Sequence, residues 1–219
     1  MNRSAIILAG GSSKGFTNYK GILELGGKPL LNYVIDAVEG LVEEVIVVTS
    51  TQEQADSYSK LVLSKKVRFA VDDSEFKGPL VGALTGFEAA NGEYSALLRF
   101  DSPFISSEVL SLLLDCCLGK AAAVPRWTDR EIEPLHAVYN TKLALQATKE
   151  ALAEDGSDMR TMVEKLGGVR YISTMVIEQL DPDFKTFFYI NTPLDLRKAA
   201  VMGKPRKTSK TKLTNIKKR

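Results

Sequence analysis

Cysteine is nearly missing from this chain. Its 219 residues hold two, Cys116 and Cys117, and they are adjacent. Neighbouring residues do not face each other on a helix, and no Cys-x-x-Cys spacing occurs, so the sequence predicts buried, reduced thiols. Such thiols fit a cytosolic compartment. Histidine is scarcer still, and the single His136 cannot complete a zinc site. No apolar stretch approaches the length of a membrane-spanning helix. The apolar run near the N-terminus is short and ends in Gly10-Gly11, unlike a secretory signal. A cytoplasmic protein without membrane attachment is expected, as a monomer or weak homo-oligomer. Acidic side chains are absent from residues 203–219, where eight lysines and arginines lie. With those eight set aside, 21 basic residues face 27 acidic ones, so the net charge of +2 belongs to the tail. The organisation expected is one domain over residues 1–202 and a basic, disordered tail over 203–219. The tail could touch nucleic acid or an acidic surface. A solubilising end explains it more simply, and nucleic acid is not an expected partner.

The remaining composition, 44% hydrophobic and 26% charged, is that of an ordinary soluble domain with one sizeable core. Short apolar runs alternate with segments of helical period, and no internal repeat is seen. Residues 5–9, 44–49, 67–71, 94–100 and 121–125 read as strands. Leu30, Leu31, Val34, Ile35 and Val38 recur at helical spacing, as do Leu80, Leu84, Phe87 and Ala90. Residues 52–63 read as a polar-faced helix, and Ser106 or Ser107 can cap a helix holding Val109, Leu112 and Leu113. Later, 134–139, 169–172 and 187–190 read as strands, and 143–152, 159–166 and 194–200 as helices. This alternation predicts βαβ units and a mostly parallel, Rossmann-like α/β sheet buried on both faces. Ligands in such sheets bind at the carboxyl ends of the strands. Gly10, Thr49, Asp73 and Asp101 each follow a predicted strand.

The richest stretch is SAIILAGGSSKGFTNYK, residues 4–20. A buried strand runs into Gly10-Gly11, then Ser12, Ser13, Lys14 and Gly15, with Lys20 beyond. Small residues at a strand end let backbone N–H groups approach an anion, and a rim lysine adds full positive charge. G-x-G-x-x-G is absent. The Walker pattern also fails, because Phe16 follows Gly15 where a lysine is required. A nucleotide-phosphate loop and a plain Gly-Ser turn both account for this spacing. Taken singly, other residues have ordinary readings too. Asp101 serves as a turn or N-cap residue, Lys20 as a surface lysine, and Asn191 as a turn former before Pro193. His136 reads as structural, and Trp127 and Tyr139 as packing residues.

Taken in order, the segments resemble the molybdenum cofactor guanylyltransferases, a MobA-like nucleotidyltransferase family. The matching residues are Leu8-Ala9-Gly10-Gly11, Ser13, Phe16, Lys20 and the run ILELGGKPLL at 22–31. Gly78-Pro79-Leu80 with Gly82 follows, then Asp101-x-Pro103-Phe104, the PLHAVY strand at 134–139, and Asn191-Thr192-Pro193 with Asp195-Leu196. The resemblance covers nearly the whole chain except the tail. It implies a three-layer α/β/α fold of the nucleotide-diphospho-sugar transferase type. It also implies transfer of GMP from GTP to molybdopterin, with Mg²⁺ as cofactor and pyrophosphate as leaving group. By the same resemblance Asp101 is a metal carboxylate and Asn191 a second metal ligand. Lys20 is the cation for the phosphates, and Leu8, Ala9, Gly10 and Gly11 form the nucleotide cradle. Asp73, or its neighbour Asp72, holds the guanosine. No nucleophilic side chain is needed, because the acceptor phosphate attacks directly. The chain departs from the family pattern at Gly15, where an arginine is usual, with Lys14 beside it. It departs again at Thr17 in place of a glycine, at Arg99-Phe100 ahead of Asp101, and at Tyr189 in place of an asparagine. Related readings are transfer from CTP to molybdopterin, transfer from an NTP to a phosphorylated sugar or other small molecule, and a non-catalytic nucleotide-binding homologue.

Overall fold

The computed structural model describes residues 2–11, 20–72, 74, 78–154 and 158–203. The expectations for Ser12, Ser13, Lys14, Gly15, Phe16, Thr17, Asp73 and the tail beyond 203 lie outside these residues.

Short strands with buried apolar residues alternate with helices through the first half. β1 (Arg3–Leu8) leads, past a 3-10 turn at Lys20–Ile22, to a small hairpin of β2 (Glu24–Leu25) and β3 (Lys28–Pro29) and then α1 (Leu30–Val38). Gly26 and Gly27 close that hairpin with φ of 62° and 84°, values that suit glycine in a two-residue turn. β4 (Glu44–Thr49), α2 (Gln52–Ser59), β5 (Val67–Val71), α3 (Pro79–Ala89), β6 (Tyr94–Arg99), α4 (Ser107–Cys117) and β7 (Ala122–Arg126) follow. The Thr51 and Ser106 side chains cap α2 and α4 by accepting from the N–H groups of Gln54 and Val109. The second half holds β8 (His136–Asn140), α5 (Thr141–Ala153), α6 (Met159–Lys165), β9 (Val169–Ser173), α7 (Thr174–Ile177) and α8 (Pro193–Met202).

Seven strands form one sheet in the order β5-β4-β1-β6-β8-β7-β9. β8 runs antiparallel to both neighbours, and the other pairings are parallel. The sheet is therefore mostly parallel, as expected. The pleat sorts alternate side chains to opposite faces. Ala5 and Ile7 of β1 pack with Leu31, Val34 and Ile35 of α1 and with Val109, Leu110 and Leu113 of α4. Ile6, between them, packs with Leu80, Ala83 and Phe87 of α3 and with α5 and α6. Those two clusters are the two interfaces of a three-layer α/β/α fold. No described helix is long and apolar enough to cross a membrane.

Two sequence expectations are corrected, and one further element was not expected. Residues 187–190 are not a strand. Phe184 takes a left-handed φ of 50°, Lys185–Phe187 is a 3-10 turn, and the backbone N–H of Ile190 bonds only to the Asp101 carbonyl, at 2.9 Å. The segment is apolar because Ile190 packs with Leu25, Leu30 and Ala199, in a cluster with Phe188, away from the sheet. The helix expected over 52–63 stops at Ser59. The short α7 carries no sequence periodicity long enough to announce it.

Candidate active site

The chain leaves β1 for β4 and β5 on one side and returns to β6 on the other. Loops at the carboxyl ends of these strands therefore diverge and leave a crevice. A cavity of about 720 Å³ occupies it, within the range of small-molecule sites. Leu8 at the end of β1 and Ala9 just past it, Val48 from β4, and Pro79 and Gly82 from α3 line its floor. A Cβ at Gly82 would stand 3.4 Å from the Leu8 side chain, so the glycine keeps this floor open.

One wall is built on hydrogen bonds between neutral groups. The Gly11 N–H donates to Ser50 Oγ at 2.9 Å, and the Ser50 N–H donates to Gln54 Oε1 at 2.9 Å. Gln54 Nε2 reaches the Gly11 carbonyl at 3.5 Å. The loop after β1 is thus stitched to the loop after β4 through α2. Two conformational demands hold it. Gly11 has φ of 99°, and a Cβ on Gly10 would lie 2.3 Å from Ser50 Oγ. Asp72, at the end of β5, lines the cavity and is 6% exposed, with Oδ1 accepting from the Ser74 N–H at 3.1 Å.

The facing wall is charged. Asp101, 3% exposed, sits two residues past β6. Arg99 grips its carboxylate as a fork, Nε to Oδ1 at 2.8 Å and Nη2 to Oδ2 at 2.9 Å. Nη2 also donates to Asn191 Oδ1 at 2.9 Å. Lys20 Nζ stands 3.9 Å from Asp101 Oδ2 and 3.5 Å from the Ile190 carbonyl. The guanidinium lies over the Tyr189 ring, 4.3 Å from its centroid. Tyr189 Oη donates to Glu133 Oε2 at 2.9 Å, and Trp127 Nε1 donates to Glu133 Oε1 at 2.9 Å. Burial works against a charged Arg99, but its hydrogen bonds and attraction to Asp101 prevail and raise its pKa. Burial and the Glu133 charge push the Tyr189 phenol up, so it stays protonated.

Of the residues marked in the sequence, Leu8, Ala9, Gly10, Gly11, Lys20 and Asp101 all line this one cavity. Asn191 joins through Arg99, and Asp73 lies outside the described residues. His136 is fully buried behind the charged wall, with Nε2 3.1 Å from Thr186 Oγ1, and burial pushes its pKa down to about 3. Tyr139 is buried with its Oη donating to the Pro134 carbonyl, and Trp127 packs on Phe184 and Phe187. Among the described residues no three His, Cys, Asp or Glu side chains cluster to hold a metal ion. Ser50, Gln54, Arg99, Glu133 and Tyr189 were not singled out as site residues from sequence. Arg99 had a usable signal, a cation on an apolar strand just ahead of an Asp-x-Pro turn.

The sequence profile of the MobA-like NTP transferase domain matches residues 5 to 169. The chain belongs to this family. A relative from Methanosarcina acetivorans, named a probable molybdenum cofactor guanylyltransferase, is 35% identical over 211 residues, 93% of each chain. Among solved structures, the molybdopterin-guanine dinucleotide biosynthesis protein A of Archaeoglobus fulgidus superposes with a TM-score of 0.75 at 23% identity, over 91% of this chain and 97% of that one. The 2-C-methyl-D-erythritol 4-phosphate cytidylyltransferase of Thermus thermophilus gives 0.68 at 20% identity, over 92% and 98%. These two likenesses establish the fold of this MobA-like chain, that of the nucleotide-diphospho-sugar transferases.

Proposed function

We propose that this protein joins GMP from GTP to the phosphate of molybdopterin and releases pyrophosphate. The observation that carries the reading is the 35% identity, spanning 93% of both chains, to a relative named for guanylyl transfer to the molybdenum cofactor. The cavity supports it chemically. An oxygen of the acceptor phosphate attacks the α-phosphorus of GTP, the bond from that phosphorus to the β-phosphate bridging oxygen breaks, and pyrophosphate departs with the electron pair. Both partners are anions, so orientation and charge neutralisation are what a protein must supply. The uncharged wall of Gly10, Gly11, Ser50 and Gln54 suits base and ribose, with Asp72 or Asp73 as an acceptor for amino and imino groups of guanine. Lys20 suits the phosphates. No side chain is needed as a nucleophile.

The donor set also suits Mg²⁺. Asp101 offers a carboxylate and Asn191 an amide oxygen, both hard ligands, and Mg²⁺ is commonly held by one or two carboxylates plus substrate phosphates and waters. A cation, Arg99, already bridges these oxygens, so the place favours positive charge. When bound there, Mg²⁺ would neutralise phosphate oxygens as charge develops. The test is pyrophosphate release with Mg²⁺, each NTP in turn and a panel of phosphorylated acceptors. GTP with molybdopterin is expected to give the fastest release. Faster release with CTP, or with another acceptor, overturns this assignment, and GTP binding without turnover on any acceptor makes the protein a non-catalytic homologue.

A further inference from the structure

The transfer proposed above assigns no task to Arg99. Its Nη2 lies 2.9 Å from Asp101 Oδ2 and 2.9 Å from Asn191 Oδ1, between the two groups that suit a metal ion, while Nε holds the other carboxylate oxygen. Guanidinium and Mg²⁺ cannot both occupy that place. Mg²⁺ requires oxygen at about 2.0–2.1 Å in near-octahedral array. The guanidinium nevertheless borders the open cavity. Its side chain is 29% exposed into the cavity, its flat face rests on the Tyr189 ring, and its Nη1 hydrogens bond to nothing among the described residues. A fork that fits a carboxylate fits a phosphate equally well, with the same two parallel donors.

We propose that Arg99 is a phosphate-binding residue that keeps the metal's place. Without a divalent cation it rests on Asp101 and Asn191, so that a buried carboxylate is never left without a counter-charge. When the cation takes those oxygens, Arg99 turns on the Tyr189 ring and its fork passes to a phosphate oxygen. The inference rests on the functional reading above for the source of that phosphate. The exchange itself is a property of the cavity.

The test uses the full chain with Mn²⁺ alone, free and bound ion being distinguished by electron paramagnetic resonance. Arg99→Ala is expected to bind Mn²⁺ about ten-fold or more tightly than the wild type, because the guanidinium fork no longer competes for Asp101, and the gain is expected to vanish in Arg99→Ala with Asp101→Asn. With Mg²⁺ present, inorganic pyrophosphate is expected to bind about ten-fold more weakly to Arg99→Ala, through loss of a bidentate charged contact. Arg99→Gln keeps much of the side-chain stem and guards against a folding defect in the shorter variant. Mn²⁺ binding unchanged or weakened in both variants overturns the proposal, as does tighter Mn²⁺ binding with wild-type affinity for pyrophosphate. Neither measurement requires turnover. If GTP and molybdopterin release no pyrophosphate, the transferase reading falls while the Mn²⁺ comparison still decides the role of Arg99.

Discussion

The two walls of the cavity are built by different physics. The wall from β1, β4 and α2 is held by backbone geometry and neutral hydrogen bonds, Gly11 to Ser50 and Ser50 to Gln54. The wall from β6 and residues 184–191 is held by charge, with one nearly buried carboxylate set between Arg99 and Lys20. A neutral hydrogen bond contributes about 0.5–1.5 kcal/mol net, whereas stripping one partner from a buried charge pair costs about 3–5 kcal/mol. The first wall therefore tolerates small losses and is sensitive to shape. The second tolerates changes of shape and is sensitive to any change of charge.

Asp101→Ala breaks this contrast most severely. It removes the carboxylate that both cations face, and kcat for pyrophosphate release should fall by about 10²–10³-fold, the scale seen when one group that stabilises developing charge is deleted. Turnover within a few-fold of the wild type would show that the charge of this wall plays no part in the reaction. The protein should still fold, and retained GTP binding would show that the neutral wall carries the nucleoside by itself.

Behind the charged wall lies a neutral group whose neutrality can be measured. His136 is held near 3 by burial, against an ordinary value near 6.5. Between these values the unfolded chain binds a proton that the native state refuses, so stability is present above about pH 6.5 and is lost as pH falls toward 3. From pH 7 to pH 5 the loss from this one residue is about 2 kcal/mol. Glu44 does not interfere in that window. Burial opposes its ionisation, but hydrogen bonds from Ser4, Asn91 and Arg68 hold it at about 2, so its contribution is lost only on going below the ordinary carboxylate range. Urea midpoints at pH 7 and pH 5 should differ for the wild type and converge for His136→Gln. Equal pH slopes in the two proteins would mean that water reaches the imidazole.

On the neutral wall the expected effect is smaller. Gly10→Ala places a methyl group 2.3 Å from Ser50 Oγ and forces that hydroxyl off the Gly11 N–H. One hydrogen bond of about 0.5–1.5 kcal/mol corresponds to a few-fold to ten-fold weaker GTP binding, with kcat nearly unchanged. A large fall in kcat instead would mean that the Gly10 backbone touches the reacting phosphate, and the division between the walls would fail.

The same contrast explains what could be read from sequence. The neutral wall was legible because its determinants are local. Gly10 and Gly11 directly follow an apolar strand, and small residues at a strand end leave few alternatives. Asp101 was legible as a charge at a strand end and Lys20 as a lysine at the rim of the glycine-serine stretch, and both through the resemblance. Of the partners that complete the charged wall, Arg99 carried only a local signal beside Asp101, whereas Glu133 and Tyr189 lie far from it in sequence and meet it only through the fold. Residues 184–191 misled for the related reason that an apolar run reports burial and not pairing. Ile190 is buried against the β2–β3 hairpin and α8, and a sequence cannot distinguish that from a place in the sheet.

The gentlest change separates ring from hydroxyl at Tyr189. Tyr189→Phe removes the bond to Glu133 but leaves the ring beneath Arg99, and Glu133 keeps its bond from Trp127. Because burial and Glu133 keep the phenol protonated, its hydroxyl contributes as a donor and never as a charge in the working pH range. Tyr189→Phe should therefore alter kcat/KM by no more than about three-fold, the scale of part of one hydrogen bond. Tyr189→Leu removes the aromatic face as well, and a cation–π contact is worth about 0.5–2 kcal/mol depending on its exposure. Arg99 then rests less firmly on Asp101, and Mn²⁺ alone should bind slightly more tightly to Tyr189→Leu than to Tyr189→Phe. If the two variants bind Mn²⁺ equally, the ring does not steady the guanidinium, and the hold on Arg99 comes from Asp101 and Asn191 alone.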